Sequence, residues 1–389
     1  MKNLELQKRA NDVRKGIVTA VHGAKAGHPG GSLSAADIFT FLYFEEMNID
    51  PKNPDMEERD RFVLSKGHTA PGLYSALAYR GYFPVEDLPT LRHLGSYLQG
   101  HPCIHIPGVD MSSGSLGQGI SAAVGMALGA KMDKRDFRVY TLLGDGEIEE
   151  GQVWEAAMFA GFRKLDNLCV MVDNNNLQID GPIDQVCSPY PIDKKFEAFN
   201  FHVINADAHD FDAIRAAFKE ARETKGMPTC IVFHSIKGKG VSFMENSVDW
   251  HGKAPNDEEY AIAMEELEAL RYASYLKENG ILLMCNCRIE PTASDGGIYP
   301  QSIRTQLEQK YYVYYMEEIP LRDKTLNVRM VGAAAGCLGF SREDGIKALE
   351  QNVAAEFLEK DKKAFLEGWE FYEQTQKSPA EWRVVCTTN

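Results

Sequence analysis

Three short apolar runs in the first two thirds of the chain alternate with segments of helical periodicity, and each run ends in a polar loop. Apolar runs of this length between helical segments are typical of buried strands in parallel βαβ units. In such sheets ligands bind beyond the carboxyl ends of the strands, so we expect functional residues in the polar loops. The runs, each with the loop after it, are 137–143 with 144–146, 168–172 with 173–176, and 230–234 with 235–238.

The N-terminal segment has a helical pattern of apolar positions, which predicts a helix over residues 4–24. The pattern breaks at Gly27-His28-Pro29-Gly30-Gly31, where glycine and proline predict a loop. A second helical pattern follows over residues 34–46, with Ser34 as its candidate N-cap.

The character of the sequence changes near residues 265–270. All ten histidines lie at or before His251, whereas the later part carries a tyrosine cluster at 311–315 and a run of small residues at 332–339. We therefore divide the chain into a domain over residues 1–268 and a smaller domain over 269–389. The fold expected is α/β, a parallel sheet flanked by helices, with a smaller C-terminal α/β appendage.

The composition is that of a folded globular protein, with 44% hydrophobic and 25% charged residues among 389. A net charge of −14 argues against nucleic acid or an anionic membrane as the main partner, so an anionic substrate needs local basic residues. The N-terminus lacks the continuous apolar stretch of a signal peptide, and no run approaches the roughly 20 apolar residues of a membrane span. We therefore expect a cytoplasmic protein.

Two of the polar loops carry oxygen ligands suited to a hard cation. The glycines of Gly144-Asp145-Gly146 let the backbone approach a ligand, and their amides at a helix start suit a phosphate. The Asp145 carboxylate and the Asn175 amide oxygen, with a backbone carbonyl such as that of Leu177, are ligands that Mg²⁺ or Ca²⁺ prefers. Either loop alone is more often a plain turn. Together they predict one site for a metal ion and a phosphate.

The spacing of these loops matches a known cofactor motif. Gly144-Asp145-Gly146, continued through Glu150-Gly151 to Asn174-Asn175, resembles the motif shared by thiamine diphosphate enzymes. Further segments resemble the transketolase family in particular, and the resemblance covers residues 7–265. These segments are Gly27-His28-Pro29-Gly30-Gly31, Leu64-Ser65-Lys66-Gly67-His68, Gly100-His101-Pro102 and Trp250-His251-Gly252-Lys253.

The resemblance implies a role for each of four histidines. His68 and His251 are expected to contact the diphosphate of the cofactor, and His28 and His101 the oxygens of a sugar. His28, His101 and His251 are the candidate catalytic residues, because an imidazole with an ordinary pKa of about 6.5 moves protons at neutral pH. One histidine alone is more often structural, but four beside glycines in such loops indicate a site.

The glycine-rich loop at residues 114–119 also matches the family, in which this loop lies against the cofactor. The resemblance implies cofactor contacts from Gly114, Leu116 and Gly146. A flexible turn is the alternative explanation for the loop taken by itself.

Charged residues near these loops complete the candidate site. Arg92, Lys237 and Lys253 are candidates for binding a phosphorylated sugar or the diphosphate, although a solvated position is the simpler explanation for any one lysine. Glu150 and Glu155 resemble family glutamates that face a partner chain, with ordinary surface exposure as the alternative.

The resemblance implies a transketolase, a transferase of the pentose phosphate pathway. Such an enzyme moves a two-carbon ketol unit between sugar phosphates, with thiamine diphosphate and Mg²⁺ or Ca²⁺ as cofactors. Family members place a glutamate of a second, pyrimidine-binding domain against the cofactor ring, and we find no such domain in this sequence. We therefore expect the partner to be a pyrimidine-binding transketolase subunit, and we expect self-association as well.

The tail after about residue 268 departs from this pattern. Leu270-Arg271-Tyr272, Arg288-Ile289, Tyr299-Pro300 and residues 327–339 resemble part of the gamma-type subunit of 2-oxoacid:acceptor oxidoreductases, which also use thiamine diphosphate. Two alternatives stay open: another thiamine enzyme component, such as a deoxyxylulose-phosphate synthase or a 2-oxoacid oxidoreductase, and a non-catalytic remnant or scaffold. The segment around Trp250 favours transketolase over the first.

Overall fold

Five parallel strands within residues 61–234 form one sheet, and a short antiparallel hairpin follows the third of them along the chain. The strands of the sheet are β1 (Arg61–Leu64), β2 (Val139–Gly144), β3 (Leu168–Asn174), β6 (His202–Asp207) and β7 (Thr229–His234), and the hairpin is β4 (Leu177–Gln178) with β5 (Gly181–Pro182). The order across the sheet is β1-β2-β3-β7-β6, which confirms the parallel α/β fold expected from the sequence.

The computed structural model describes residues 1–273, 281–285, 312–316 and 325–377. The chain forms two compact units, Met1–Ser274 and Tyr275–Asn389. The five-stranded sheet belongs to the first unit, and the boundary at residue 268 remains a prediction.

The register of the strands aligns their carboxyl ends. Gly144 at the end of β2 lies opposite Asp173 of β3, and Asn174 lies opposite His234 of β7. The loops after these strands therefore open at one edge of the sheet, where ligands of open α/β sheets bind.

Ten helices in the described part of the first unit flank the sheet, with short 3₁₀ turns at Gly67–Thr69, Val85–Thr90 and Glu147–Glu149 and a π-helical turn at Leu42–Glu46. The helices are α1 (Asn3–Ala24), α2 (Pro29–Ser34), α3 (Ala36–Phe41), α4 (Ala70–Arg80), α5 (Gly119–Met132), α6 (Gly151–Phe162), α7 (Ile183–Val186), α8 (Ile192–Ala198), α9 (Phe211–Glu223) and α10 (Asp257–Ala273).

Both faces of the sheet are buried. Cys169 and Met171 of β3 pack in one apolar cluster with α1, α3, α4 and α9. Val170 and Val172 point the opposite way into a second cluster with α5, α6 and α8. Because successive side chains of a strand alternate between faces, burial on both sides explains the continuous apolar run in the sequence.

The predicted N-terminal helix is present as α1 and ends at Lys25, which adopts a left-handed conformation with φ of 50°. The N-cap assigned to Ser34 is wrong. Ser34 is the last residue of α2, and its buried hydroxyl donates to Asp173 Oδ2 at 2.5 Å and lies 3.0 Å from the Gly31 carbonyl oxygen. The loop expected at residues 27–31 is likewise helical from Pro29, because proline fits the first turn of a helix.

The second unit contains a parallel strand pair and three helices in its described ranges. They are β8 (Ile281–Cys285), β9 (Tyr312–Met316), α11 (Leu326–Cys337), α12 (Arg342–Asn352) and α13 (Ala355–Lys377). Glycines let α11 and α13 approach closely, since a Cβ on Gly368 would lie 1.9 Å from the Arg329 carbonyl oxygen. The tail motifs Arg288-Ile289 and Tyr299-Pro300 lie outside the described residues.

Within the same ranges no helix combines the length and apolar character needed to cross a bilayer. The cytoplasmic location stays a prediction.

Candidate active site

The loop after β2 reaches the loop after β3 through the Asp145 carboxylate. Asp145 is buried, and its Oδ1 accepts the Gly146 backbone N–H at 3.0 Å. Its Oδ2 accepts the Asn176 N–H at 2.6 Å across the gap between the loops. Asn176 has a φ of 66°, the left-handed conformation that asparagine tolerates. The two strand-end loops thus meet at one place.

Asn175 and Leu177 lie beside Asp145. The side-chain Oδ1 of Asn175 accepts the Leu177 N–H at 3.2 Å, and the Leu177 carbonyl accepts a hydrogen bond from the Lys237 ammonium at 2.9 Å. The structure brings the three predicted metal ligands to the wall of one cavity.

This cavity has a volume of about 310 Å³ and lies at the carboxyl edge of the sheet. That volume is at the lower end of the range for small-molecule pockets, roughly 300–1,000 Å³. Eleven of the predicted site residues line it: His28, His68, His101, Gly114, Leu116, Asp145, Gly146, Asn175, Leu177, Lys237 and His251.

Three imidazoles pack against one another at the cavity. The ring centroid of His28 lies 5.1 Å from that of His68 and 5.4 Å from that of His251. Burial, reinforced by Arg92, lowers the pKa of His28 to about 4. Burial and the Lys237 charge lower the pKa of His251 to about 3, and burial holds the pKa of His68 well below its usual value. All three rings are therefore neutral at neutral pH, each with one donor and one acceptor nitrogen.

His101 and Arg92 lie together. A Cβ on Gly100 would lie 2.5 Å from Arg92 Nε, so the guanidinium packs against the backbone beside His101. Burial and the Arg92 charge lower the pKa of His101. Arg92 is exposed and is not part of the cavity wall, although its charge acts on both His101 and His28.

The two predicted lysines differ in their surroundings. Lys237 is buried, contacts His251 Nδ1 at 2.8 Å, and has its pKa lowered by burial to about 8. Lys253 is half exposed; its ammonium pairs with Glu259 at 2.8 Å and lies 4.3 Å from the centroid of the Trp250 ring. It does not line the cavity.

A buried ion pair at the base of the site was missed by the sequence analysis. Lys66 donates to Asp173 and to the Gly31 carbonyl, and the side chains of the pair are 2% and 0% exposed. Asp173 also accepts hydrogen bonds from Ser34 and Ser235. Burial alone would raise the pKa of Asp173, but the Lys66 charge and the hydrogen bonds from Lys66, Ser235 and Ser34 together lower it.

Glu147 is a second residue that the sequence analysis missed. Its buried carboxylate accepts the Ser65 hydroxyl at 2.5 Å, the Gly117 N–H at 2.9 Å and the Gly144 N–H at 3.1 Å. It thereby ties together the loops after β1 and β2 and the glycine-rich loop. Burial raises the pKa of Glu147 to about 6.

The predicted interface glutamates lie outside the cavity. Glu150 and Glu155 are both exposed at the start and middle of the α6 segment. Met158 and Phe162, which follow Glu155 at helical spacing, are 56% and 77% exposed. This face of α6 is apolar as well as acidic.

Comparison with known proteins identifies the family. A family model described as "Transketolase, thiamine diphosphate binding domain" matches residues 6–276, and one described as "Pyruvate ferredoxin/flavodoxin oxidoreductase" matches residues 214–371. The second match agrees with the resemblance noted for the tail.

Relatives and a solved structure give the extent of the similarity. The chain is 47% identical over 266 residues to the 6-deoxy-6-sulfo-D-fructose transketolase subunit of Clostridium sp., covering 68% of this chain and 97% of the relative. It is 42% identical over 279 residues to an apulose-4-phosphate transketolase subunit of Phocaeicola vulgatus, covering 72% and 98%.

The crystal structure of transketolase from Campylobacter jejuni matches with a TM-score of 0.66 and 32% identity, over 79% of this chain and 46% of that one. The chain thus spans less than half the length of that solved transketolase. Three findings agree: a family model matches most of the chain, the fold is shared with a solved transketolase, and the Asp145 and Asn175 loops meet beside four histidines. The chain belongs to the transketolase family, through its thiamine diphosphate binding domain.

Proposed function

We propose that the chain is the diphosphate-binding subunit of a two-subunit transketolase, and that it transfers a two-carbon ketol unit between sugar phosphates. The observation that carries this proposal is the single cavity shared by the Asp145 loop, the Asn175 loop and four histidines. The relatives that it covers almost completely are named as transketolase subunits for a sulfonated sugar and a sugar phosphate. We therefore propose a ketose with an anionic terminal group as the substrate class, which is broader than the pentose phosphates.

The residues of the cavity fit thiamine diphosphate held through Mg²⁺. A carboxylate, an amide oxygen and a carbonyl are the ligand set such an ion prefers. The Leu177 carbonyl oxygen accepts a hydrogen bond from the Lys237 ammonium, so this oxygen is oriented to contact a cation. The buried Nδ1 of His28 has no hydrogen-bond partner among the described residues, which indicates that a ligand completes its bonding.

The neutral imidazoles suit the proposed chemistry. Bound thiamine diphosphate supplies carbanion stabilisation, and the protein contributes position and proton transfer. His28 and His101 each have one donor and one acceptor nitrogen for sugar hydroxyls, whereas His251 accepts from the Lys237 ammonium through Nδ1 and has Nε2–H as its remaining donor. We propose that His68 and His251 contact the diphosphate beside Lys237. The lowered pKa values mean that these rings accept protons only transiently near pH 7.

Basic residues are proposed to hold the anionic groups. Lys237 is part of the cavity wall and suits the diphosphate, and Arg92 lies near His28 and His101 and suits the substrate. Lys253 serves this role only if its contact with Glu259 breaks.

The partner is proposed to be a pyrimidine-binding transketolase subunit, in an assembly that also contains a second copy of this chain. The exposed face of α6 with Glu150, Glu155, Met158 and Phe162 supports this proposal, because contiguous exposed apolar residues mark protein interfaces.

Reconstitution tests the proposed function. The purified chain is mixed with a pyrimidine-domain subunit, assembly is confirmed by sedimentation, and ketol transfer is measured at saturating thiamine diphosphate and Mg²⁺. We expect transfer between sugar phosphates by the complex and none by either polypeptide in isolation. An assembled complex without activity would favour a scaffold and contradict the proposal.

The oxidoreductase match over residues 214–371 supports a second candidate function. The same complex is therefore offered pyruvate with a low-potential electron acceptor. Acceptor reduction without ketol transfer would favour the oxidoreductase component instead.

A further inference from the structure

His209 joins two partners through opposite ring nitrogens, just beyond the carboxyl end of β6. Its Nδ1 lies 2.7 Å from Asp37 Oδ2, and its Nε2 accepts the Ile236 backbone N–H at 2.9 Å. A carboxylate requires a donor and an N–H requires an acceptor, so Nδ1 carries the proton and Nε2 does not. The ring is held in one tautomer as a rigid spacer between α3 and the loop after β7.

Asp37 is anchored on the far side of the ring. It is 4% exposed, and both of its oxygens accept hydrogen bonds from the Arg14 guanidinium, at 3.1 Å and 2.5 Å. Burial alone would raise the pKa of Asp37, but Arg14 and His209 hold it well below its usual range. The carboxylate is therefore a fixed acceptor, and Arg14 supplies the compensating charge.

The loop that His209 contacts, residues 235–240, is held by hydrogen bonds at two further points. Arg14 Nε donates to the Lys239 carbonyl at 3.0 Å, and the Gly238 N–H donates to the Gly30 carbonyl at 2.9 Å.

The other side of this loop contributes to the cavity. Ser235 donates to Asp173, and Lys237 reaches the Leu177 carbonyl and His251 Nδ1. Neither Arg14, Asp37 nor His209 lines the cavity. The three residues therefore support the loop from behind.

We infer that His209 is a positioning residue for Lys237, acting through the Ile236 amide, with Asp37 and Arg14 as its anchor. This inference rests on the proposed function, in which Lys237 binds the cofactor diphosphate. Loss of the Nε2 acceptor leaves the Ile236 N–H without a partner. The backbone at Ile236, directly before Lys237, is then less restrained. A small displacement of a group that binds a ligand is enough to weaken binding.

Two conservative variants separate the two contacts of the ring. In His209→Gln the side-chain oxygen can still accept from Ile236 but no longer fills the Nδ1 position. In His209→Asn the side-chain amide can still donate to Asp37 but does not reach Ile236. His209→Ala removes both contacts. His202→Ala is the matched control. His202 begins β6, the strand that precedes His209, and it pairs with Glu220 at 2.7 Å at the opposite end of that strand from the loop.

Two measurements are made on the full chain. Hydrogen exchange of peptides covering residues 235–241 needs no cofactor, and calorimetry measures the affinity for thiamine diphosphate with saturating Mg²⁺. We expect His209→Ala and His209→Asn to exchange faster in this loop and to bind roughly tenfold more weakly, by analogy with supporting residues of ligand sites. His209→Gln and His202→Ala should bind within about twofold of the wild-type affinity, well below the tenfold or larger loss that follows removal of a supporting residue.

The outcomes distinguish this inference from the proposed function. A wild-type chain that binds no thiamine diphosphate, with faster loop exchange in His209→Ala, would refute the proposed function and leave the support of the loop standing. Unchanged loop exchange in His209→Ala overturns the inference. The reverse order of the two conservative variants also overturns it, with loop exchange in His209→Asn equal to the wild type and loop exchange in His209→Gln as fast as in His209→Ala.

Discussion

Replacing Lys66 by methionine removes one member of the buried ion pair at the base of the site. Methionine keeps the apolar stem, so the main change is the loss of the ammonium that contacts Asp173 and the Gly31 carbonyl. Removing one partner of a buried pair typically costs about 3–5 kcal/mol. The hydroxyls of Ser34 and Ser235 still reach the carboxylate, so we expect a loss at the lower end, about 3 kcal/mol.

A second substitution tests the cause of that loss. Asp173→Asn in the Lys66→Met background removes the uncompensated charge and keeps an acceptor for the hydroxyls. We therefore expect the double variant to be more stable than Lys66→Met alone. Lys131→Met is the matched control, since its ammonium pairs with Asp166 at 2.6 Å at the surface and its loss should cost at most about 1 kcal/mol.

Urea unfolding followed by tryptophan fluorescence gives these free energies. The four tryptophans include Trp154 and Trp250 in the first unit, so Trp369 and Trp382 are replaced by phenylalanine in every variant. If Lys66→Met loses no more stability than Lys131→Met, or if the double variant is less stable than the single one, the description of this ion pair is wrong.

Further predictions concern pH and assembly. Burial raises the pKa of Glu266 to about 7 from 4.5, so the folded chain keeps a proton that the unfolded chain releases, and stability should fall as pH rises from 4.5 to 7. Glu266→Gln should show a shallower pH dependence of the melting temperature than the wild type, since Glu147 still contributes in the same direction, whereas Glu258→Gln, on the same helix, should keep the wild-type slope. Equal slopes in the two variants would contradict the assignment. Phe162→Asp should weaken association with the partner subunit in sedimentation experiments, whereas Leu4→Asp, on a helix packed against the other face of the sheet, should not. Equal association by both variants would remove the α6 face from the proposed interface.

The sequence was sufficient to predict the strands that are buried on both faces. The run at 168–172 is continuous because alternate residues of β3 enter different apolar clusters. Because the strands are parallel, the loops at 144–146 and 173–176 had to meet at one edge, and they do. Edge strands gave a weaker signal: β1 has four residues, and β6 alternates buried and exposed positions towards its end.

Charged residues whose partners are distant in sequence could not be predicted. Lys66 and Asp173 are separated by 107 positions, and Asp37 and His209 by 172. Only the folded chain brings such residues together. The same reason explains the error at Ser34, whose hydroxyl forms a long-range hydrogen bond to Asp173 in place of the local cap that its sequence context suggested.

The central claim is that Asp145 and Asn175 jointly hold a metal ion that binds the diphosphate of the cofactor. Thiamine diphosphate is titrated into the wild type and into Asp145→Ala in a calorimeter, once with Mg²⁺ present and once with a chelator instead of Mg²⁺. This experiment tests the claim most directly. Metal-dependent binding by the wild type and none by Asp145→Ala is the predicted result. An affinity unchanged by the substitution would contradict it.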